Sequence, residues 1–185
     1  GLPIFKWEDP QNTVDEIKKW VDSSKEKTSI LFCYSLGKAQ RLLNEISKTN
    51  FKKNIYTHKS IYKMNNCYKK LGINIIDTNK FEKNKISNDL KGSLILLPPS
   101  LNKRYSLKRF KDVQTGFASG WMSIRALRKR SGYDKGFIIS DHADWKDILN
   151  TIKESKAKNI FFHHGDSEVL NRYLREKKSI NVLEF

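Results

Sequence analysis

The sequence is poor in cysteine, has no long apolar run and carries few acidic residues for its size. Its two cysteines, Cys33 and Cys67, are too few and too far apart for a disulfide framework or a zinc knuckle, which favours a reducing compartment. No stretch approaches the roughly 20 apolar residues of a membrane span, and no leader of the charged, apolar and small-residue type opens the chain. We therefore expect a cytoplasmic protein with no membrane partner.

The scarcity of acidic residues leaves a large positive charge. Asp and Glu number 20 against 36 Lys and Arg, a formal net charge of +16. A field of that sign attracts polyanions, so nucleic acid is the leading partner, although a chain rich in Lys and Asn can also become basic by compositional drift. Hydrophobic residues make up 38% and aromatic residues 11%, which is enough for a packed core.

Short apolar runs alternate with amphipathic segments along most of the chain. Thr13 is the predicted N-cap of a first helix, with Glu16 as its capping-box partner. Residues 28–34 then read as a strand buried on both faces, while residues 74–91 read as a polar connection. Further strands are predicted at residues 54–57, 93–97, 114–119, 137–140 and 159–162. The expected fold class is α/β, with a mostly parallel sheet flanked by helices.

Two stretches are rich in basic residues. Residues 100–112 interleave five Lys and Arg with Tyr105 and Phe110, and residues 124–130 read as a basic helical turn. In the first stretch, cations for phosphates among rings for stacking suit a nucleic-acid surface. The alternative for the first stretch is a solvated loop held by its two rings.

Polar segments follow three of the predicted strands, at residues 35–38, 140–144 and 163–168. In parallel α/β sheets, functional groups gather where the carboxyl ends of the strands meet loops and helix N-termini. His142 lies in the second of these segments, where it could be a general acid, a phosphate contact or a metal ligand. Alternatively, Asp141 or Asp144 caps the next helix and His142 has no further role.

The pair His163–His164 lies at the end of the following strand, before Gly165. Adjacent strand residues point to opposite faces, so one of the two is expected to enter a site. Neutral imidazole is a good zinc ligand, but a working zinc site needs at least three protein ligands. His58 starts a helix far away in sequence, so the residues by themselves predict only part of a metal site.

Five ordered segments make the chain resemble a known family, the β-CASP nucleases of the metallo-β-lactamase superfamily, and in particular their bacterial ligase-associated DNA exonucleases. The segments are Gly-Leu-Pro-Ile-Phe-Lys-Trp at residues 1–7, Tyr-Ser-Leu-Gly-Lys-Ala-Gln-Arg at 34–41, Phe-Ala-Ser-Gly-Trp-Met at 117–122, Ser-Asp-His-Ala-Asp-Trp at 140–145 and His-Gly at 164–165.

The resemblance implies a role for several residues. His142 would lie against the scissile phosphate as the catalytic residue that assists proton transfer, and Ser140, Ser119 and Lys38 would contact the substrate. His164 would be a zinc ligand, one of those holding the two zinc ions of the complete enzyme. The substrate would be DNA in preference to RNA, in a DNA-repair setting, with a DNA ligase as a further partner.

The resemblance also implies a division of the chain. Residues 1–9 would be the tail of an upstream metallo-β-lactamase part, residues 10–134 the β-CASP domain, and residues 135–185 the closing part of the metallo-β-lactamase domain. The family's main metal motif, His-x-His-x-Asp-His, does not occur in these residues, and Gly1 reads as an internal boundary. We therefore expect a C-terminal portion that is inactive by itself; an RNA 3′-end processing nuclease and a non-catalytic nucleic-acid-binding module are the alternatives.

Overall fold

The structure, a computed structural model, describes residues 2–82, 90–101, 112–163, 168–178 and 180–183. The chain divides into two compact units. The larger unit is Glu8–Asp141, and the smaller one combines Gly1–Trp7 with His142–Phe185. No helix among the described residues is long and apolar enough to cross a bilayer.

Strands and helices alternate in the larger unit. Its elements are α1 Pro10–Asp22, β1 Thr28–Phe32, α2 Lys38–Ser47, β2 Ile55–Thr57, α3 Lys59–Lys70, β3 Asn79–Lys80, β4 Leu94–Leu97, β5 Val113–Ala118, α4 Arg125–Arg130 and β6 Lys135–Phe137. Within the described residues the strands form a six-stranded sheet in the order β3-β2-β4-β1-β5-β6, and every pairing is parallel. The predicted α/β class with a parallel sheet and flanking helices is confirmed.

Both faces of this sheet are covered, which explains the apolar runs of its central strands. Every residue of β1 and of β4 is buried. On one face the side chains pack against apolar residues of α1, α2 and α3, such as Ile17, Leu42 and Ile61. On the other face Ile30 and Phe32 pack with Phe81 and other apolar side chains. A strand buried on both faces cannot alternate apolar and polar residues, and that is the pattern of these runs.

The first helix begins earlier than the sequence pattern predicts. Asp9, rather than Thr13, is its N-cap: the Asp9 carboxylate accepts from the Gln11 N–H at 2.9 Å, and Pro10 occupies the first turn. Proline is favoured there because its missing N–H has no helical partner in any case. The Thr13 hydroxyl instead donates to the carbonyl of Ile138 at 2.7 Å.

Two further elements differ from the prediction. The strand expected at residues 137–140 is β6, two residues earlier, because β5 ends at Ala118, opposite Phe137, and offers no partner beyond it. The stretch read as a polar connection contains the short edge strand β3, which pairs with β2. The basic stretch predicted at 100–112 falls mainly on residues 102–111, outside the described residues.

The smaller unit contains α5 Trp145–Ser155, β7 Asn159–Phe161, α6 Glu168–Lys178 and β8 Asn181–Leu183. In the described part of this unit β7 and β8 pair in parallel. Leu170 and Leu174 of α6 form its core with Val182 and with partly buried side chains of α5. The rings of Trp145 and Tyr173 meet edge to face, 5.4 Å apart.

The bounds of the compact units differ from those of the segments predicted from the sequence. That division ends the β-CASP segment at residue 134, whereas the larger unit continues to Asp141, since β6 pairs with β5 and belongs to its sheet. The residues before Glu8 join the smaller unit, together with the residues that follow Asp141. The assignment of these segments to named domains of the family stays a prediction.

Candidate functional site

The loops at the carboxyl edge of the large sheet bring separate sequence segments together. β1 and β5 are neighbours, and β5 in turn pairs with β6, so the segments that follow these strands leave the sheet side by side. They contain Lys38 after β1, Ser119 after β5, and Ser140 with Asp141 after β6. The expectation that chemistry gathers at this edge therefore has a structural basis.

A partly buried ion pair joins the segment after β1 to the segment after β6. Lys38 Nζ lies 2.8 Å from Asp141 Oδ1, and the two side chains are 5% and 26% exposed. The ammonium also lies 5.5 Å from the centre of the Tyr34 ring. Lys38 is thus already engaged by an anion of the protein itself; its predicted phosphate contact stays a prediction and would require Asp141 to move.

Gly37, immediately before Lys38, makes this close approach possible. Its φ of +79° is a conformation that other residues adopt only with strain, and a Cβ at this position would lie 2.5 Å from Asp141 Oδ2. The glycine therefore provides both the turn from β1 into α2 and the space for the Asp141 carboxylate.

Ser140 is held by α2, the helix that also carries Lys38. The Arg41 guanidinium of α2 donates a hydrogen bond to the Ser140 backbone carbonyl, and the Ser140 side chain is buried. Beside this contact lies an open cleft of about 380 Å³, lined by Gly37, Gln40, Arg41, Asn44, Tyr68, Ile73 and Asp141. The predicted phosphate contact at Ser140 therefore lies next to a half-buried guanidinium.

Ser119 is the fourth residue of this edge, and its hydroxyl has a local role. Ser119 is buried, and its Oγ accepts from the Trp121 N–H at 3.3 Å at the start of the 3-10 turn Gly120–Ser123. Its own N–H donates to the Phe137 carbonyl at 3.0 Å. The hydroxyl caps this turn, and the predicted substrate contact stays a prediction.

His58, which the sequence pattern did not connect with the other candidates, lies in a hydrogen-bonded group with Ser60 and Ser35. His58 caps α3, and its Nδ1 lies 2.8 Å from Ser60 Oγ, which lies 2.8 Å from Ser35 Oγ. His58 is distant in sequence from the other candidates, but β2 is separated from β1 only by β4, so the ends of β1 and β2 lie close together. The strand-end position of His58 was the one sequence signal that could have found it.

In the smaller unit, Trp7 holds the histidine loop that begins at His142. The Trp7 indole N–H donates to the His142 carbonyl at 2.9 Å, and its backbone N–H donates to Asp144 Oδ2 at 2.9 Å. One residue further, the Trp145 N–H donates to the Phe5 carbonyl at 3.1 Å. The His142 side chain is exposed. These contacts order the backbone of the loop and leave the imidazole at the surface.

Asp144 organises both this loop and the start of α5. It is buried, and with Asp147 it forms a complete capping box. Burial raises the pKa of Asp144, but hydrogen bonds from the backbone N–H groups of Asp147, Trp7 and Lys146 outweigh that effect, so the pKa lies below its ordinary value. The capping role weighed for Asp144 in the sequence is therefore confirmed, and it leaves the role of His142 open.

The zinc site predicted from the resemblance cannot be assembled from the described residues. His164, its predicted ligand, lies outside them, and His163 is exposed at the end of β7. The described part of the chain contains no group of three His, Cys, Asp or Glu side chains placed to hold a metal ion.

Comparison with known proteins relates the chain to a segment of a longer one. No protein-family model matches it. The chain is 26% identical over 148 residues to a protein of Opitutus terrae named "Probable DNA ligase". The match covers 80% of this chain but only 14% of the relative's length, so the chain is similar to a small part of a protein whose name refers to DNA.

Proposed function

We propose that this chain is part of a nuclease that hydrolyses phosphodiester bonds, with DNA as its substrate. The observation that carries the proposal is the anchoring of the Ser-Asp-His-Ala-Asp motif by two other motifs of the family resemblance. In the larger unit, Lys38 and Arg41 of the second motif bind Asp141 and Ser140. In the smaller unit, Trp7 of the first motif binds both His142 and Asp144.

Contacts of this kind, which hold the Ser-Asp-His-Ala-Asp motif in place, are more typical of a catalytic loop than of a surface turn without function. Two other segments of the chain contact this motif, Lys38 at Asp141 and Trp7 at His142 and Asp144, while the His142 imidazole is exposed. Precise positioning of a reacting group is what a catalytic loop requires, since small misplacements cost large factors in rate.

In the proposed reaction, His142 transfers a proton. Hydrolysis adds water across a P–O bond, so one proton leaves the attacking water and one reaches the leaving oxygen. An imidazole can carry out either transfer near neutral pH. Within the larger unit, Arg41 holds the carbonyl of Ser140, two residues before His142 in the sequence. The whole protein would provide the groups that activate the water.

The choice of DNA and the extent of the whole protein are both part of the proposal. The name of the Opitutus terrae relative favours DNA and favours work beside a DNA ligase. The formal charge of +16 favours a polyanion without separating DNA from RNA, because phosphate contacts carry no information on the sugar. The 14% coverage of that relative supports a longer active protein.

The test is a cleavage assay on the protein at its natural full length, with zinc supplied and with labelled DNA and RNA strands of the same sequence. His142→Ala should lower the rate of DNA cleavage by about 100-fold or more, as expected for a lost proton-transfer group. His163→Ala, an exposed histidine with no role in the resemblance, is the matched control and should leave the rate unchanged.

Three results would contradict the proposal. Cleavage by His142→Ala at the wild-type rate would remove the histidine from the chemistry. Cleavage of RNA alone would favour the RNA-processing alternative. Binding without cleavage of either strand would favour a non-catalytic module.

A further inference from the structure

The open cleft beside α2, here called the α2 cleft, has polar and apolar walls and lies entirely within the larger unit. Arg41 and Asn44 of α2 contribute polar groups, and Tyr68 and Ile73 at the end of α3 contribute apolar surface. Its volume of about 380 Å³ falls at the lower end of the range for small-molecule sites, roughly 300–1,000 Å³. That size suits a ligand of about one nucleotide.

Arg41 brings hydrogen-bond donors to the α2 cleft. Its guanidinium is half-buried and donates to the Ser140 carbonyl, and it has no other partner in the described part of the chain. A guanidinium carries several N–H donors in a planar fork, so most of them remain for a ligand. Because that fork binds two neighbouring acceptors at once, it favours a ligand with two acceptors on one edge.

Two amide side chains bring acceptors to the same cleft. Asn44 is on the same helix face as Arg41, and its Nδ2 donates to the Asn74 carbonyl at 2.6 Å, so its Oδ1 is left as an acceptor with no partner among the described residues. Gln40 is buried, and its Nε2 donates to the Ser35 carbonyl and to Asn65 Oδ1.

These two bonds fix the orientation of the Gln40 amide, because its oxygen cannot bind two other oxygens. Gln40 Oε1 is therefore the atom left without a partner in the described part of the chain. A buried acceptor without a donor is unfavourable. The α2 cleft thus has more acceptors than donors on its amide side, and a ligand that donates an N–H there would improve the balance.

The apolar surface of the cleft is positioned by the end of α3. Gly72 has a φ of +80°, and the Ile73 N–H donates to the Tyr68 carbonyl at 3.1 Å, which is the bonding of a Schellman turn. Tyr68 is half-buried against the core, whereas Ile73 is 45% exposed. Both side chains line the cleft. A ring and a branched aliphatic side chain form a surface that suits a flat, partly apolar ligand.

The charges around the cleft favour a neutral ring over an anion. Asp141 also lines the cleft, with its carboxylate already paired to Lys38, and a carboxylate in this position repels a phosphate. The ligand must therefore be flat and neutral, with two acceptors for Arg41 and a donor for Asn44. Guanine meets these requirements, because a guanidinium binds its N7 and O6 side by side and the adjacent N1–H is a donor. Adenine has an amino group in place of O6, which would face the donors of Arg41.

We infer that the α2 cleft binds a guanine base. Arg41 donates to N7 and O6, Asn44 Oδ1 accepts from N1–H, and the ring lies against Tyr68 and Ile73. The base belongs either to a free nucleotide or to a nucleic-acid strand, since both present the same edge. The site goes beyond the proposed function, because binding at this cleft requires neither cleavage nor the His142 imidazole.

The experiment titrates the isotope-labelled 185-residue chain with deoxynucleoside monophosphates and follows its backbone amides by NMR. The amides of Gly37 and Ile73, which line the cleft, should shift and saturate with dGMP, while that of Gly132, outside the cleft, should not. dGMP should bind at least tenfold more tightly than dAMP or dCMP, a ratio within the range of one bidentate arginine contact. The analogue of dGMP with 7-deazaguanine lacks one of the two acceptors and should bind about tenfold more weakly.

Two substitutions test the two kinds of wall. Arg41→Lys keeps the positive charge and loses the planar fork, so the preference for dGMP over dAMP should fall to less than about threefold. Ile73→Ala removes apolar surface from the cleft and should weaken dGMP binding by about threefold. Leu71→Ala is the matched control, because Leu71 is an even more exposed aliphatic residue of the same turn that does not line the cleft; it should leave binding unchanged.

A DNA strand of thymines with one terminal guanine and phosphorothioate linkages identifies the source of the base. Saturation by dGMP but not by this strand assigns a free nucleotide, and saturation by the strand assigns a base of DNA. Equal binding of dGMP and dAMP, binding of dCMP as tight as that of dGMP, or no saturation by either nucleotide or strand would overturn the inference. So would equal losses in Ile73→Ala and Leu71→Ala. Failure of the proposed nuclease would appear instead in the cleavage assay with His142→Ala.

Discussion

The Lys38–Asp141 ion pair should respond very differently to the loss of each partner. Asp141→Ala leaves the Lys38 ammonium in a site where its side chain is only 5% exposed. Breaking a buried pair in this way costs about 3–5 kcal/mol, because the remaining charge has neither water nor a counter-ion. We expect a value near the lower end of this range, about 3 kcal/mol, because the Asp141 side chain that is removed was itself 26% exposed.

Lys38→Met leaves the opposite partner behind, and that partner can regain water. The Asp141 side chain is 26% exposed, and methionine fills much of the volume of the lysine stem. We expect this variant to lose no more than about 1 kcal/mol, as for a pair replaced by packing apolar atoms. The double variant Lys38→Met with Asp141→Ala should therefore be more stable than Asp141→Ala by itself, by about 2 kcal/mol.

Hydrogen exchange gives the free energy of unfolding of the larger unit separately. The amides of β1, in the middle of the sheet and fully buried, exchange only when that unit unfolds globally. Wild type, the two single variants and the double variant form a complete cycle. A loss in Lys38→Met as large as that in Asp141→Ala, or additive losses in the double variant, would refute the reasoning.

Three further predictions concern Gly37, Asp144 and Cys33. Gly37→Ala should destabilise the larger unit by about 1–3 kcal/mol because of the strained backbone conformation, and by a further amount because the added Cβ would meet Asp141. Gly72 has a similar φ of +80° but nothing within 4 Å of an added Cβ, so Gly72→Ala should show only the cost of the backbone conformation in the same exchange assay. Because its pKa is lowered in the folded protein, ionised Asp144 stabilises the smaller unit at pH values above the ordinary Asp pKa of about 4. This contribution is lost as the pH falls from about 4 towards the lowered pKa. Asp144→Asn should therefore make the stability of the smaller unit less dependent on pH in an acid-unfolding series monitored by NMR. Burial raises the pKa of Cys33 to about 12, so a maleimide should label only the protein's other, exposed cysteine at pH 7, and both after denaturation; labelling of two thiols in the native protein would contradict this.

Sequence periodicity was enough to predict the fold class and most elements of the larger unit. A short, unbroken apolar run such as residues 30–33 is typical of a strand covered on both faces, and that pattern is local. Element ends were harder to predict, because they depend on partners. The residues after Phe137 are apolar enough for a strand, but their neighbour β5 has already ended. The cap at Asp9 follows from Pro10, a local signal that the apolar spacing around Thr13 obscured.

The candidate site shows the same division between local and non-local information. That His142 lies on a loop after a strand could be read directly from its position, and the motif resemblance added a chemical role. No spacing rule could predict that Lys38 would be buried against Asp141, 103 residues away, instead of facing a substrate. Nor could it predict that Trp7 would hold the loop at His142, 135 residues further along the chain.

The sequence by itself therefore determined the α/β class, the basic charge and the positions of the candidate residues, because these depend on composition and on short-range patterns. Only the tertiary structure decided which of these side chains are engaged by the protein itself and which are exposed. Strand order is the physical reason: it brings the ends of β1, β5 and β6 to one edge of the sheet, where contact depends on which strands are neighbours and not on separation along the chain.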